Sequence, residues 1–191
     1  ETDVFPREVF AAISSLKGAG KLDDNAIESL SRSLVDNIAE ENTVTHYIAK
    51  DMRIVEVNND TLTAYGKRLG GLIAKYQKSD IGKELAVVAE ALKNDSGSGL
   101  GKLDDYILLY KNAARDLISV ETPKDIATTY LSIINNYYAI AGALQKIKSV
   151  FENPIVGFSG LVEYSRETKS LEENTNSLGA YFAKNAILFN K

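Results

Sequence analysis

The sequence predicts an all-α fold: an irregular bundle of six or seven helices, built on two long antiparallel helices at the C-terminal end. Two observations predict it. Apolar residues recur at alternating steps of three and four along three stretches, which sets a seam on one side of an α-helix that other helices must cover. The stretches are Tyr130, Ile133, Tyr137, Ile140, Leu144, Ile147 and Phe151; Leu161, Tyr164, Thr168, Leu171, Thr175, Leu178 and Phe182; and Leu62, Tyr65, Leu69, Leu72 and Tyr76. No stretch of similar length alternates in twos, the period of a half-buried strand.

Each element then has a local reason. Pro6 suits the first turn of a helix reaching about Lys17, which Gly18 and Gly20 stop. Asp23 or Asp24 caps the next, with Ile27, Leu30, Leu34 and Ile38 along one side. From Glu41 to Asn58 a helix followed by an extended linker is expected. Ile54, Val55 and Val57 favour extension there, but a lone strand finds no evident partner. Asn58, Asn59 and Asp60 start a helix to about Lys78, in which Gly66, Gly70 and Gly71 imply close internal packing. Ser79 and Asp80 start another, bearing Ile81, Leu85, Val88 and Leu92.

The run 94–101, rich in glycine and serine, reads as a flexible, exposed connection between two halves of a single helical domain over 1–191. Asp104 or Asp105 opens a helix carrying Ile107, Leu108, Ala114, Leu117 and Ile118. Thr122 followed by Pro123 reads as a cap and first turn, for a helix continuing to Phe151. Asn153 and Pro154 repeat the device for a last helix running nearly to Lys191. Its middle, Ser165 to Ser177, is mostly polar. Gly18 to Asp24 echoes Gly99 to Asp105 at six of seven positions, but the helices that follow do not align, so the echo is one loop-to-helix start used twice.

Composition narrows the function. Of 191 residues 45% are hydrophobic, enough for a core without metal or disulfide support, and the net charge of −4 argues against nucleic acid as a partner. There is no cysteine and one histidine, His46, so thiol chemistry and the usual zinc sets are excluded. Leu103 follows Lys102 where a phosphate loop needs Ser or Thr, and Asp95, Asp104 and Asp105 lack the spacing of a calcium loop. No cofactor, metal site or catalytic set is expected, and the chain reads as a non-enzyme.

Ten tyrosines and no tryptophan leave one candidate surface for a ligand or partner: Tyr130, Tyr137, Tyr138, Tyr164 and Leu171. The chain begins at Glu1, which fits removal of a signal peptide, a membrane anchor or an expression tag.

Three stretches carry a resemblance. They are Asn58-Asn59-Asp60-Thr61-Leu62-Thr63-Ala64-Tyr65-Gly66, Thr122 to Leu131 with Asn135-Asn136 after it, and Asn153-Pro154. In these the chain resembles uncharacterised all-helical proteins of candidate-phylum, Parcubacteria-type bacteria, which carry a hydrophobic N-terminal anchor ahead of an extracytoplasmic domain. The resemblance implies a membrane-tethered domain whose partner is another protein of the cell envelope, and it brings no activity. The expected function is therefore a non-catalytic interaction or scaffold module, attached to the membrane only through a removed N-terminal segment and able to form a homo-oligomer. The alternative is a ligand-sensing bundle that binds a small molecule or peptide between helices; the alternative location is the cytoplasm.

Overall fold

At Asn58 side chain and backbone together start a helix. Asn58 Oδ1 accepts from Thr61 N at 2.9 Å, and the Thr61 hydroxyl accepts from Asn58 N at 3.0 Å, so each satisfies a donor that the first turn leaves open. In the computed structural model, which describes residues 46–77 and 81–187, helix α1 follows over Asn59–Tyr76. It buries Tyr65, Leu69 and Leu72 of the expected seam, with Gly66 beside them. Gly71, by contrast, has nothing within 4 Å of where a Cβ would stand. The two helices expected before His46, and the first copy of the echo, lie outside the described residues.

Ahead of α1 the structure departs from an all-α fold. After a 3-10 turn over Ala49–Asp51, strand β1 (Arg53–Val55) pairs in parallel with β2 (Glu121–Pro123), in register Arg53 to Glu121, Ile54 to Thr122 and Val55 to Pro123. The missing partner for Ile54 and Val55 is the segment read as a helix start. Thr122 is fully buried and its hydroxyl donates to Val120 O at 3.0 Å, so it caps nothing. Pro123 ends its strand, a position where its missing N–H breaks no ladder. Lys124 N then donates to Val55 O at 3.0 Å, continuing the ladder one residue past the proline.

Helix α2 covers Glu84–Lys93, starting later than Ser79 and Asp80 suggested and leaving Ile81 outside it. Gly82 sits at φ +95°, a left-handed conformation that a continuous helix does not allow. Glu84 folds back, fully buried, to accept from Gly82 N at 2.7 Å. The glycine-serine run, expected to be a flexible connection, instead forms a 3-10 helix over Gly97–Lys102. Its apolar Leu100 is buried, and Gly97 lies close against the Phe151 ring.

Helix α3 spans Leu103–Ile118 and buries Ile107, Ala114 and Leu117 as expected, whereas Leu108 is 59% exposed. Helix α4 spans Ala127–Ile147, one turn shorter at each end than the Pro123-to-Phe151 reading, with Phe151 beyond it and 37% exposed. Helix α5 spans Pro154–Lys184, and the Asn153 side chain caps it through Val156 N at 3.3 Å. The molecule is thus mostly helical, with five α-helices among the described residues and one small parallel sheet.

The chain divides into two compact units. In the first, the described residues are 81–109 and 139–167. Its core includes Val88, Leu103, Ile140, Leu144, Ile147 and Leu161. Here α4 and α5 pack closely: a Cβ on Gly160 would lie 2.7 Å from Ala143 O and 2.9 Å from Ile147 N, and Lys146 pairs with Glu163. The second unit holds 46–77, 110–138 and 168–187. Its core joins Tyr65, Leu69, Ala114, Leu117, Val120, Tyr130, Ile134, Leu178 and Phe182. There the same two helices meet through Asn136, which accepts from Asn174 at 3.0 Å and from Ser170 at 3.5 Å.

Gly160 and Gly179 lie in the same helix under opposite constraints. Gly160→Ala drives a methyl into backbone atoms of α4 and lowers stability by about 2 kcal/mol. Gly179→Ala meets nothing within 4 Å on an exposed face and raises stability, by up to about 1 kcal/mol. Urea denaturation of the two variants checks both signs.

Candidate binding cleft

The step of an α-helix puts Asp60, Ala64 and Arg68 in one row of α1, with Thr61 and Tyr65 beside it. Opposite this face stand Arg53 and Val55 of β1, Ser119 and Val120 at the end of α3, and Glu121 of β2. Together they enclose a cleft of about 530 Å³, all within the second unit. That volume lies inside the range of small-molecule sites, about 300–1,000 Å³. Packing of α1 against β2 holds the two walls together.

The charges in the cleft are balanced and open. Arg53, Asp60, Arg68 and Glu121 are all exposed, and none forms an ion pair with another described residue. The other two described arginines are both engaged: Arg115 donates to Asn112 Oδ1 at 2.6 Å and Arg166 to Glu167 Oε1 at 3.2 Å. Arg53 and Glu121 are register partners, set side by side on one face of the sheet, yet they do not pair. Val120 and Tyr65, both about 1% exposed, make the floor apolar.

Behind the floor lies an aromatic cluster. The Tyr65 ring stands edge-on to Tyr130 with centroids 5.5 Å apart, and lies 5.8 Å from Phe182. Tyr130 donates its hydroxyl to Leu117 O at 3.1 Å, while the buried Tyr65 hydroxyl has no hydrogen-bond partner. Burial, then proximity to Tyr130 and Tyr181, pushes the Tyr65 phenol far above its ordinary range. Burial likewise raises Tyr130. At the far end of α1, Asp116 of α3 accepts from Lys75 Nζ at 2.5 Å and from the Tyr76 hydroxyl at 2.7 Å.

The tyrosines singled out in the sequence do not assemble around this cleft. Tyr130 is wholly buried behind it. Tyr137 is half-buried with its ring 5.8 Å from Tyr110. Tyr138 is half-buried and stacked on His46, centroids 3.5 Å apart and planes within 6°. That stack gives His46 a neighbour the sequence did not reveal. The Asn135 amide holds the same segment: its Oδ1 accepts from His46 N at 3.2 Å and Tyr47 N at 2.8 Å, and its Nδ2 donates to Tyr47 O at 3.0 Å. Tyr164 is buried in the first unit, and Leu171 packs half-buried on the core of the second.

None of the four cleft charges was read from the sequence as a site residue; Asp60 was read only as part of a helix start. Asp60 and Arg68 lie two turns apart on the exposed side of α1, with Ala64 between them, where charge reads as a solvated face. Arg53 and Glu121 become neighbours only through the strand pairing. Among the described residues no group of three His, Cys, Asp or Glu is placed to hold a metal, and no helix is long and apolar enough to cross a membrane. The chain matches no family model, no curated protein and no solved structure.

Two outcomes follow from the groups around the cleft. Tyr65→Phe removes an unpartnered buried hydroxyl and raises stability by about 1 kcal/mol, whereas Tyr130→Phe removes a made bond and lowers it by about 1 kcal/mol. Thermal unfolding of the two variants separates the signs. Hydrogen bonds from Lys75, then Tyr76, hold the Asp116 carboxyl below its ordinary 3.8, so its contribution is full above that value and is lost as pH falls through the lower folded-state value. The same contact with Asp116, then that with Tyr76, holds Lys75 above 10.5, so its contribution is full below 10.5 and is lost as pH rises through the raised value. Asp116→Asn should flatten part of the acid limb of stability below about pH 5, read by urea midpoints at falling pH.

Proposed function

We propose that this chain is a non-catalytic protein-interaction module, the extracytoplasmic part of a membrane-tethered bacterial protein. In this reading the bundle has six or seven helices, counting those expected over 6–17 and 23–38. Its partner is an extended segment of another envelope protein, laid along the outer edge of β1. One observation carries the reading. In a parallel ladder alternate residues turn their backbone groups to opposite sides, and Val55 O faces β2, so the N–H and C=O of Ile54 face outward. No described residue pairs with that edge. Ile54 is 46% exposed on it and Ile48, just ahead, is 43% exposed. An unpaired strand edge flanked by apolar side chains is the substrate of strand addition, in which main-chain bonds supply affinity and side-chain contacts supply choice. The anchor and the envelope setting rest on the resemblance of the three sequence stretches.

A photo-crosslinking residue at position 48 of the intact protein, in cells that make it, tests this. An adduct with one envelope protein is expected, absent when the probe sits at Leu108 on α3. Ile54→Lys, which guards a strand edge with charge, should remove most of the adduct while far-UV circular dichroism stays unchanged. Equal adducts from positions 48 and 108 would sink the strand-edge surface, and recovery of the intact protein from the cytosol would sink the envelope setting.

A ligand-sensing bundle is the second reading, and the cleft favours it. Its position differs from the tyrosine side that the sequence suggested.

A further inference from the structure

The four open charges of the cleft have an order. Asp60 and Arg68 lie two helical turns apart in one row of α1, about 12 Å along its axis. An acid thus stands at one end of this wall and a guanidinium at the other. On the facing wall Arg53 and Glu121 sit level with each other, a donor beside an acceptor.

An inorganic anion does not suit this arrangement, because it would meet two carboxylates along with the two guanidiniums. A free amino acid carries both signs, but too close together to reach Asp60 and Arg68 at once. A chain of three residues spans about 10–11 Å when extended, and its terminal ammonium and carboxylate carry the two signs at matching separation. Its interior offers N–H and C=O groups, which Glu121 can accept from and Arg53 can donate to. Arginine is suited to a terminal carboxylate because its donors form a rigid fork.

We infer that the cleft between α1 and the sheet binds a short linear peptide of about three residues with both termini free, its ammonium at Asp60 and its carboxylate at Arg68. The inference rests on the ligand-binding reading of the cleft and is independent of the strand edge. Val55 and Val120, which line the cleft, give the peptide side chains an apolar bed, so small apolar residues fit best.

The test is calorimetric titration of the whole chain with tri-alanine, run beside N-acetyl-tri-alanine amide, with the backbone amide shifts of Ala64 and Val120 recording where each binds. Tri-alanine should bind saturably and shift both amides, and the blocked peptide should bind about tenfold more weakly. Arg68→Gln should weaken free tri-alanine about tenfold but not its C-terminal amide, and Asp60→Asn should abolish the preference over the N-acetylated form. Both side chains are exposed, so helicity measured alongside should be unchanged.

Equal affinity for free and blocked peptide, or affinity untouched by both variants, overturns the assignment of the termini. No saturable shift with any peptide, where a small-molecule fragment set does shift Ala64 and Val120, overturns the peptide assignment alone. No shift with either overturns the ligand-binding reading as well.

Discussion

Three residues of parallel strand pairing hold the second unit's cleft in place. β1 and β2 lie far apart in sequence, and their ladder brings Arg53 beside Glu121 and Val55 beside Pro123. A pair this short is not stable alone in water. It persists because its surroundings bury it: Val120 and Thr122 are inaccessible, and α1 packs on β2. The ion pair of Lys124 with Glu56 at 2.5 Å lies at the exposed margin, where such a contact adds little. Packing, not charge, keeps the ladder closed. With it closed, α1 is held facing the sheet and the cleft has two walls.

How much of this the sequence discloses depends on the range of the forces involved. The seams of α1, α4 and α5 follow from a local period, and Tyr65, Leu69, Ile140, Leu144 and Phe182 are buried as that period requires. Caps at Asn58 and Asn153 are equally local, and both form. The strands are not local. Ile54 and Val55 have the right residue types, but their partner is a Thr-Pro pair whose nearby sequence favours a helix start. Tertiary burial of Thr122 overrides that preference. Gly82 shows the same limit on a smaller scale, since its left-handed backbone delays α2 to Glu84 although nothing in the apolar spacing marks the delay.

The polar middle of α5 has a physical answer as well. Between Tyr164 and Leu178 the seam narrows to the half-buried Leu171, and Thr175 faces solvent. The helix is held there by amide and hydroxyl contacts of Asn174 and Ser170 with Asn136 of α4. A buried asparagine of this kind costs stability unless it is satisfied, and its geometry fixes which turn of one helix faces which turn of the other. The apolar residues on either side supply the adhesion, and the amide supplies the alignment.

The Asn135 amide, one position earlier, has a different consequence, for how this chain can drift over generations. It grips residues 46 and 47 entirely through their main chain, as a neighbouring strand would. Such a grip is blind to side-chain identity. Descendants of this chain can exchange His46 at the expense of its stack on Tyr138, and Tyr47 at the expense of its packing on the second unit's core, with the tether kept. At 135 the short amide, with one acceptor and one donor at that reach, has no equal substitute. In a lineage under selection for this fold, the variable letters fall on the segment that is held, and the invariant letter falls on the residue that holds it.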